Sequence, residues 1–143
     1  MKIVVALDLS DKDGAVLPVA ARLAEAAQAD VTLLHVVNPF VDSGSVEAAT
    51  HAEAVRQVSQ EATDYLTERR AAFPGPASVL VEELRRGGED VDSCIARVTK
   101  SIGGDILVVA SKRAYGLSGL ILGSVVQSLL RESPCPVLVV RPD

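Results

Sequence analysis

Residues 108–130 read VVASKRAYGLSGLILGSVVQSLL, and the order of their parts sets the fold. An apolar, β-branched run comes first and a Gly- and Ser-bearing stretch follows. Leu122, Val125, Val126, Leu129 and Leu130 then fall on one face of a helix. This strand–loop–helix unit places a helix N-terminus, with its unpaired N–H groups and positive dipole end, beside the end of a strand, where an anion can bind. Lys112 and Arg113 stand where a phosphate loop prefers glycine.

The same unit recurs along the chain. Lys2–Leu7, Val31–Val37, Val79–Val81 with its flanks, Ile106–Ala110 and Val137–Val140 have strand length and β-branched content. Four of the five are near-continuous apolar runs, the pattern of parallel strands covered on both faces. Val16, Ala20, Leu23, Ala24 and Ala27 form one helical stripe; Val55, Val58, Ala62, Tyr65 and Leu66 form a second; Val91, Cys94, Ile95, Val98 and Ile102 form a third. The alternation is therefore β-α-β-α-β-α-β-α-β. Pro74, Gly75 and Pro76 end the second helix, Gly87 and Gly88 separate the third strand from the third helix, and Pro134 and Pro136 flank the last turn. Pro18 is discordant, because it has no N–H to donate; the first helix either begins around Leu17 or is kinked there. The stretch from Asn38 to Thr50, with Pro39, Gly44 and two serines, reads as a long connection. Without an internal repeat or low-complexity tract, residues 1–143 read as a single domain.

A chain of 143 residues with 48% hydrophobic content can bury a core of several layers. Its formal net charge of -5 argues against a general nucleic-acid or anionic-membrane surface and makes any anion site local. The opening MKIVVALDLS is too short for a signal-peptide core and lacks a small-residue cleavage site, so a cytoplasmic location is expected. Leu117 to Val126 is about half of the ~20 residues a bilayer crossing requires, and no membrane span is expected. Cys94 and Cys135 lie far apart without a CxxC pairing or a histidine cluster, which points to neither zinc nor a disulfide framework; both read as small apolar residues.

Right-handed crossovers and the strict alternation point to an α/β fold with a doubly wound open sheet. Ligands bind such sheets beyond the carboxyl ends of the strands, where the strand order reverses. The candidate turns are Asp8-Leu9-Ser10 after the first strand and the quoted loop after the fourth. At these residues the chain resembles the universal stress protein family, of the small single-domain type. The strand endings ALDLS and LLHVV, the segment LILGSVVQSLLRESPCPVLVVRP and the βα spacing carry the resemblance, which spans essentially the whole chain. It implies a five-stranded parallel sheet in the order 3-2-1-4-5 with helices on both faces, the adenine nucleotide alpha hydrolase-like arrangement. It also implies a homodimer in which the final strands, Val137, Leu138, Val139 and Val140, pair across a two-fold axis. A VLVV strand at an open edge is itself a reason for such pairing, with Arg141 and Asp143 flanking the interface.

Members that bind ATP resemble one another in a loop G-x2-G-x9-G-[ST] between fourth strand and fourth helix. Laid on this sequence by its end, the pattern matches Gly123 and Ser124 but meets Arg113 at the second glycine and Ala110 at the first. By the same resemblance Asp8 meets the adenosine moiety, Val36 lines the adenine, and Val109 and Val125 are apolar wall positions, with ATP or AMP as the implied ligand. Ala110 adds one methyl at a strand end, where a negative φ suffices. Arg113 either distorts the loop at a strain of about 1 kcal/mol or more, or turns inward with Lys112 to make charge-assisted bonds to phosphate, or is a solvated loop charge.

Each candidate also has a plainer role. Ser124 would cap the fourth helix, and Gly123 would allow close helix packing. Asp8 would bond turn amides or cap the first helix, with Ser10 as its local partner. His35, inside an apolar strand, reads as a structurally satisfied histidine, and His51 as an exposed residue opening a polar helix. Gly116 and Gly119 let the loop turn, and Tyr115 packs at its tip or stacks on a base. No catalytic set is identifiable from spacing. The leading functional reading is a cytoplasmic, dimeric stress-response or regulatory module, and within it stands the sub-hypothesis that an adenine nucleotide binds between the ends of strands 1 and 4. The alternatives are a nucleotide-independent interaction protein with a degenerate loop, and a slow ATPase switch. A dinucleotide-binding or electron-transfer domain lacks the G-x-G-x-x-G it would need after the first strand.

Overall fold

β1 (Lys2–Ala6) has Ile3, Val4 and Val5 entirely removed from solvent, because strands pair with both of its edges and helices cover both of its faces. In the computed structural model, which describes residues 1–40, 50–111 and 122–142, the elements that follow are α1 (Asp13–Ala27), β2 (Asp30–Val37), α2 (His51–Ala72), β3 (Ala77–Glu83), α3 (Val91–Ser101), β4 (Ile106–Ala110), α4 (Ser124–Glu132) and β5 (Val137–Val140). The five strands form one sheet in the order β3-β2-β1-β4-β5, with every pairing parallel. Val5 is registered with Leu33 on one side and with Val108 on the other. This is the doubly wound sheet expected from the alternation, in the strand order that the family resemblance implies.

Alternation along each strand divides the core into two layers. Ile3, Val5, Leu33 and Val108 face one side, where Val16, Ala20 and Ala24 of α1 and Leu66 of α2 cover them. Val4, Leu34, Leu107 and Val109 face the other, under Cys94, Ile95 and Val98 of α3 and Val126 and Leu129 of α4. The near-continuous apolar runs are thus the signature of burial on both faces. β3 at one edge is only half-buried, as its position outside the sheet's centre dictates.

The helix starts differ in how they are capped. Thr50 Oγ1 accepts from the Glu53 amide at 3.1 Å above α2, and the Asp90 carboxylate accepts from the Ser93 amide at 3.1 Å above α3. α1 and α4 have no side-chain cap. α1 begins at Asp13 despite Pro18, so a start around Leu17 does not hold. Its first turn closes through amides of Asp13, Gly14 and Ala15 to the carbonyls of Ser10, Asp11 and Lys12. Pro18 has no N–H for the Gly14 carbonyl, and both residues are exposed, where that carbonyl is open to solvent.

Arg97 of α3 donates to both carboxylate oxygens of Glu89 at 2.9 and 3.0 Å and lies 3.5 Å from Glu82. This fork ties the connection after β3 to α3. At the other end of α3, a Cβ on Gly104 would lie 2.7 Å from Thr99 Cγ2 and 2.9 Å from Val4 Cγ2, both in the buried interior. Gly104→Ala should therefore destabilise the fold by about 1–3 kcal/mol through overpacking. Urea denaturation measures it, and an unchanged midpoint would contradict this packing.

Candidate functional site

β1 and β4 are neighbours, yet β1 leads into a helix on one face of the sheet and β4 into a helix on the other. The strand order reverses between them, and beyond their carboxyl ends lies a cavity of about 400 Å3. Asp8, Val36, Val109, Ala110, Gly123, Ser124 and Val125 all line it, brought together from the ends of β1, β2 and β4 and the start of α4. Arg113, with Lys112, Tyr115, Gly116 and Gly119, lies outside the described residues.

Val36 and Val109 are buried and supply an apolar wall, extended by Ile95 of α3 and Val126 of α4. Among described non-glycine residues only Leu9 and Gln28 have positive φ, so the backbone conformation at Ala110 does not call for glycine. Gly123 is the N-cap of α4 with φ -68° and ψ 163°, and Ser124 is the first helical residue. Ser124 therefore does not cap α4. Its exposed hydroxyl stands at a helix start that bears no acidic residue in its first turn.

Asp8 forms the turn anticipated with Ser10. Its Oδ1 accepts from the Ser10 amide at 3.0 Å and from the Ser10 hydroxyl, which in turn accepts from the Lys12 amide at 3.2 Å. Oδ2 meets Lys12 Nζ at 2.8 Å. Partial burial pushes the Asp8 carboxyl up, but the bonds from Lys12 and Ser10 and the Lys12 charge outweigh it and hold the group below its ordinary value. Asp8 does not cap α1, whose N-cap position is Lys12. Between Asp8 and Ser10, Leu9 adopts φ 62°, a conformation that costs a bulky residue on the order of 1 kcal/mol and is held by its packing against the α1 side of the core.

Two charged residues of the cavity are not among the candidates the sequence offers. Lys12 lines it through the ion pair with Asp8. Asp13, at 2% exposure, accepts from the Tyr65 hydroxyl at 3.0 Å and from the Asp8 amide at 3.4 Å. Burial raises the Asp13 carboxyl to about 6, the nearby Asp8 charge adds to the rise, and the Tyr65 bond opposes it. The Tyr65 ring, for its part, carries the Arg69 guanidinium 4.2 Å from its centre. An acidic residue in a first helical turn is a common sight in a sequence; its burial here depends on a tyrosine that arrives 52 positions later.

His35 Nδ1 donates to the Leu7 carbonyl at 2.7 Å, which fixes the tautomer and satisfies the ring as expected, while the ring also lines the cavity. His51 is exposed and stacks on Phe40, with ring centres 6.4 Å apart. Among the described residues no group of three or more histidines, cysteines or carboxylates could hold a metal ion. Cys94 and Cys135 are free, and burial raises the Cys94 thiol to about 11, with the charge of Glu89 adding to the rise. No described helix is long and apolar enough to cross a membrane.

The fold and crevice define a doubly wound α/β protein with a cavity at the switch point between β1 and β4. A model of the universal stress protein family matches residues 1–141, and the chain belongs to that family. It is 33% identical to universal stress protein YxiE of Bacillus subtilis, covering 98% of each chain. Among solved structures, a universal stress family protein from Burkholderia pseudomallei is 27% identical with a TM-score of 0.68, over 96% of this chain and 93% of that one. Universal stress protein UspA from Lactobacillus plantarum shares the fold with a TM-score of 0.75 at 20% identity, over 99% and 97% of the two chains.

The Asp13 environment sets a pH dependence whose sign is fixed. With its carboxyl at about 6 in the fold and near 3.9 in the unfolded chain, the native state retains a proton between about pH 4 and 6 that the unfolded chain has lost. This group's contribution to stability therefore falls as pH rises through that window. Asp13→Asn should gain stability relative to the parent protein from about pH 4 to 6 and hold level above. Carboxyl NMR of Asp13 should titrate near 6; a midpoint near 4 would contradict the burial described.

Proposed function

We propose that the crevice binds an adenine nucleotide, with the base against Val36 and Val109, the ribose at Asp8 and the phosphate toward Gly123, Ser124 and Val125. The observation that carries this reading is the convergence of seven candidates from four separate stretches of the sequence on one cavity. Its volume of about 400 Å3 falls at the lower end of the ~300–1,000 Å3 of small-molecule sites, a size suited to a nucleoside monophosphate. Structures of the same fold have been described for a universal stress protein in complex with cAMP, for one from Archaeoglobus fulgidus with dAMP, and for one from Arabidopsis thaliana with AMP. These share 23%, 18% and 16% identity with this chain, at TM-scores of 0.63, 0.63 and 0.66. The opposing reading, a nucleotide-independent protein with a degenerate loop, drew on Ala110 and Arg113. Ala110 weighs less for it, because its φ is not positive and only its methyl distinguishes it from glycine there.

The chain would act as a cytoplasmic regulatory module rather than an efficient enzyme, and no residue is assigned a catalytic role. Stability supplies the test. A ligand at about 100 times its dissociation constant adds roughly 2.7 kcal/mol, so AMP or ATP at millimolar concentration should raise the melting temperature. Asp8→Ala should reduce that shift. No shift with adenosine, AMP, ADP or ATP, and no nucleotide released on denaturing the purified protein, would sink the reading.

We further propose that β5 pairs with its own copy across a two-fold axis. β5 bonds only β4 in the sheet order and presents an outer edge, and Leu138 on it and Leu130 on α4 are 37% and 50% exposed. Light scattering at micromolar concentration should report a dimer, and Leu138→Lys should shift it toward monomer. A monomeric parent protein would contradict the pairing.

A further inference from the structure

We propose that Lys12 makes the crevice prefer a phosphorylated nucleoside over the free nucleoside, holding Asp8 with one arm of its ammonium and offering the others to the ligand's phosphate. The assignment rests on the nucleotide reading above and deepens it. Three charged residues line the described cavity, the carboxylates Asp8 and Asp13 and the ammonium of Lys12. Lys12 is the only cation among them, and its side chain is 23% exposed. Its ammonium has three N–H donors. One is engaged by Asp8 Oδ2 at 2.8 Å.

Topology gives these donors their target. Lys12 follows β1 and Ser124 follows β4, adjacent strands whose helices lie on opposite faces of the sheet, and both residues line the same cavity. A phosphate over the switch point therefore sits between them. From the α4 side it meets a helix start with no side-chain cap and no acidic residue in its first turn. From the α1 side it meets no comparable row of free amides, because those of Asp13, Gly14 and Ala15 already bond the carbonyls of Ser10, Asp11 and Lys12. Among the described residues of that side, the Lys12 ammonium is the cation that can hold the anion. Asp8 and Asp13 would repel a phosphate dianion, and the same ammonium offsets them. Asp8 has the opposite need. Three of its roughly four lone-pair positions are taken by the Ser10 amide, the Ser10 hydroxyl and Lys12, which leaves one for a ribose hydroxyl.

The test compares adenosine with AMP by calorimetry on the intact protein at low and high salt, for the parent chain, Lys12→Gln and Lys12→Arg. Glutamine retains a donor for Asp8 without the charge, and arginine restores the charge. Lys12→Gln should weaken AMP by about tenfold or more, the scale of a lost charge-assisted bond, and leave adenosine within about twofold. Lys12→Arg should recover most of the AMP affinity. Raised salt should erode the parent protein's preference for AMP and leave the Lys12→Gln variant nearly unaffected. Equal losses for adenosine and AMP would overturn the assignment and make Lys12 a residue that merely positions Asp8, and so would no loss for either. Failure of the parent protein to bind either ligand would instead remove the nucleotide reading, and this assignment with it.

Discussion

The pairing of β1 with β2 on one edge and β4 on the other is the constraint from which the rest of the molecule follows. With Val5 registered against both Leu33 and Val108, the central strand must be apolar on both faces, and each face needs its own pair of helices. The chain leaves β1 toward one face and β4 toward the other. The ends of two hydrogen-bonded strands consequently face a gap that neither helix fills. The crevice is thus a product of topology before any polar residue is placed in it.

What the polar residues add is a short electrostatic chain on the α1 side. Lys12 and Ser10 hold Asp8 ionised, and Asp8 together with burial makes Asp13 reluctant to lose its proton. The Tyr65 hydroxyl links that carboxyl to α2, 52 positions away, so the state of the crevice is tied to a helix that does not itself line it. The strained Leu9 sits inside this arrangement and is held there by packing. On the α4 side the wall is simpler, an apolar surface and a helix start without a side-chain cap.

The strands and their order were legible because burial on both faces leaves continuous β-branched runs, and because the spacing and endings of those runs resemble a family with this topology. The helix starts were less so. Pro18 suggested a late or kinked α1, but the bond it removes is to an exposed Gly14 carbonyl, and the helix keeps its early start. Ser124 had the chemistry of a cap, yet the backbone places Gly123 in that position and leaves the serine hydroxyl available. Asp8 and its turn with Ser10 could be read locally, since both partners lie within three residues. Asp13 could not, because its burial and raised titration depend on Tyr65 and on the cavity wall. The question of what Arg113 contributes falls outside the described residues.

The most direct test of the switch-point crevice as a nucleotide site is methyl NMR of the valines during an AMP titration. Val36, Val109 and Val125 lie on three different elements and all line this cavity. Their methyl resonances should move together along one binding curve, while those of Val19, Val55 and Val79, away from the cavity lining, stay in place. Saturable shifts confined to other methyls, or none at millimolar AMP, would contradict the account.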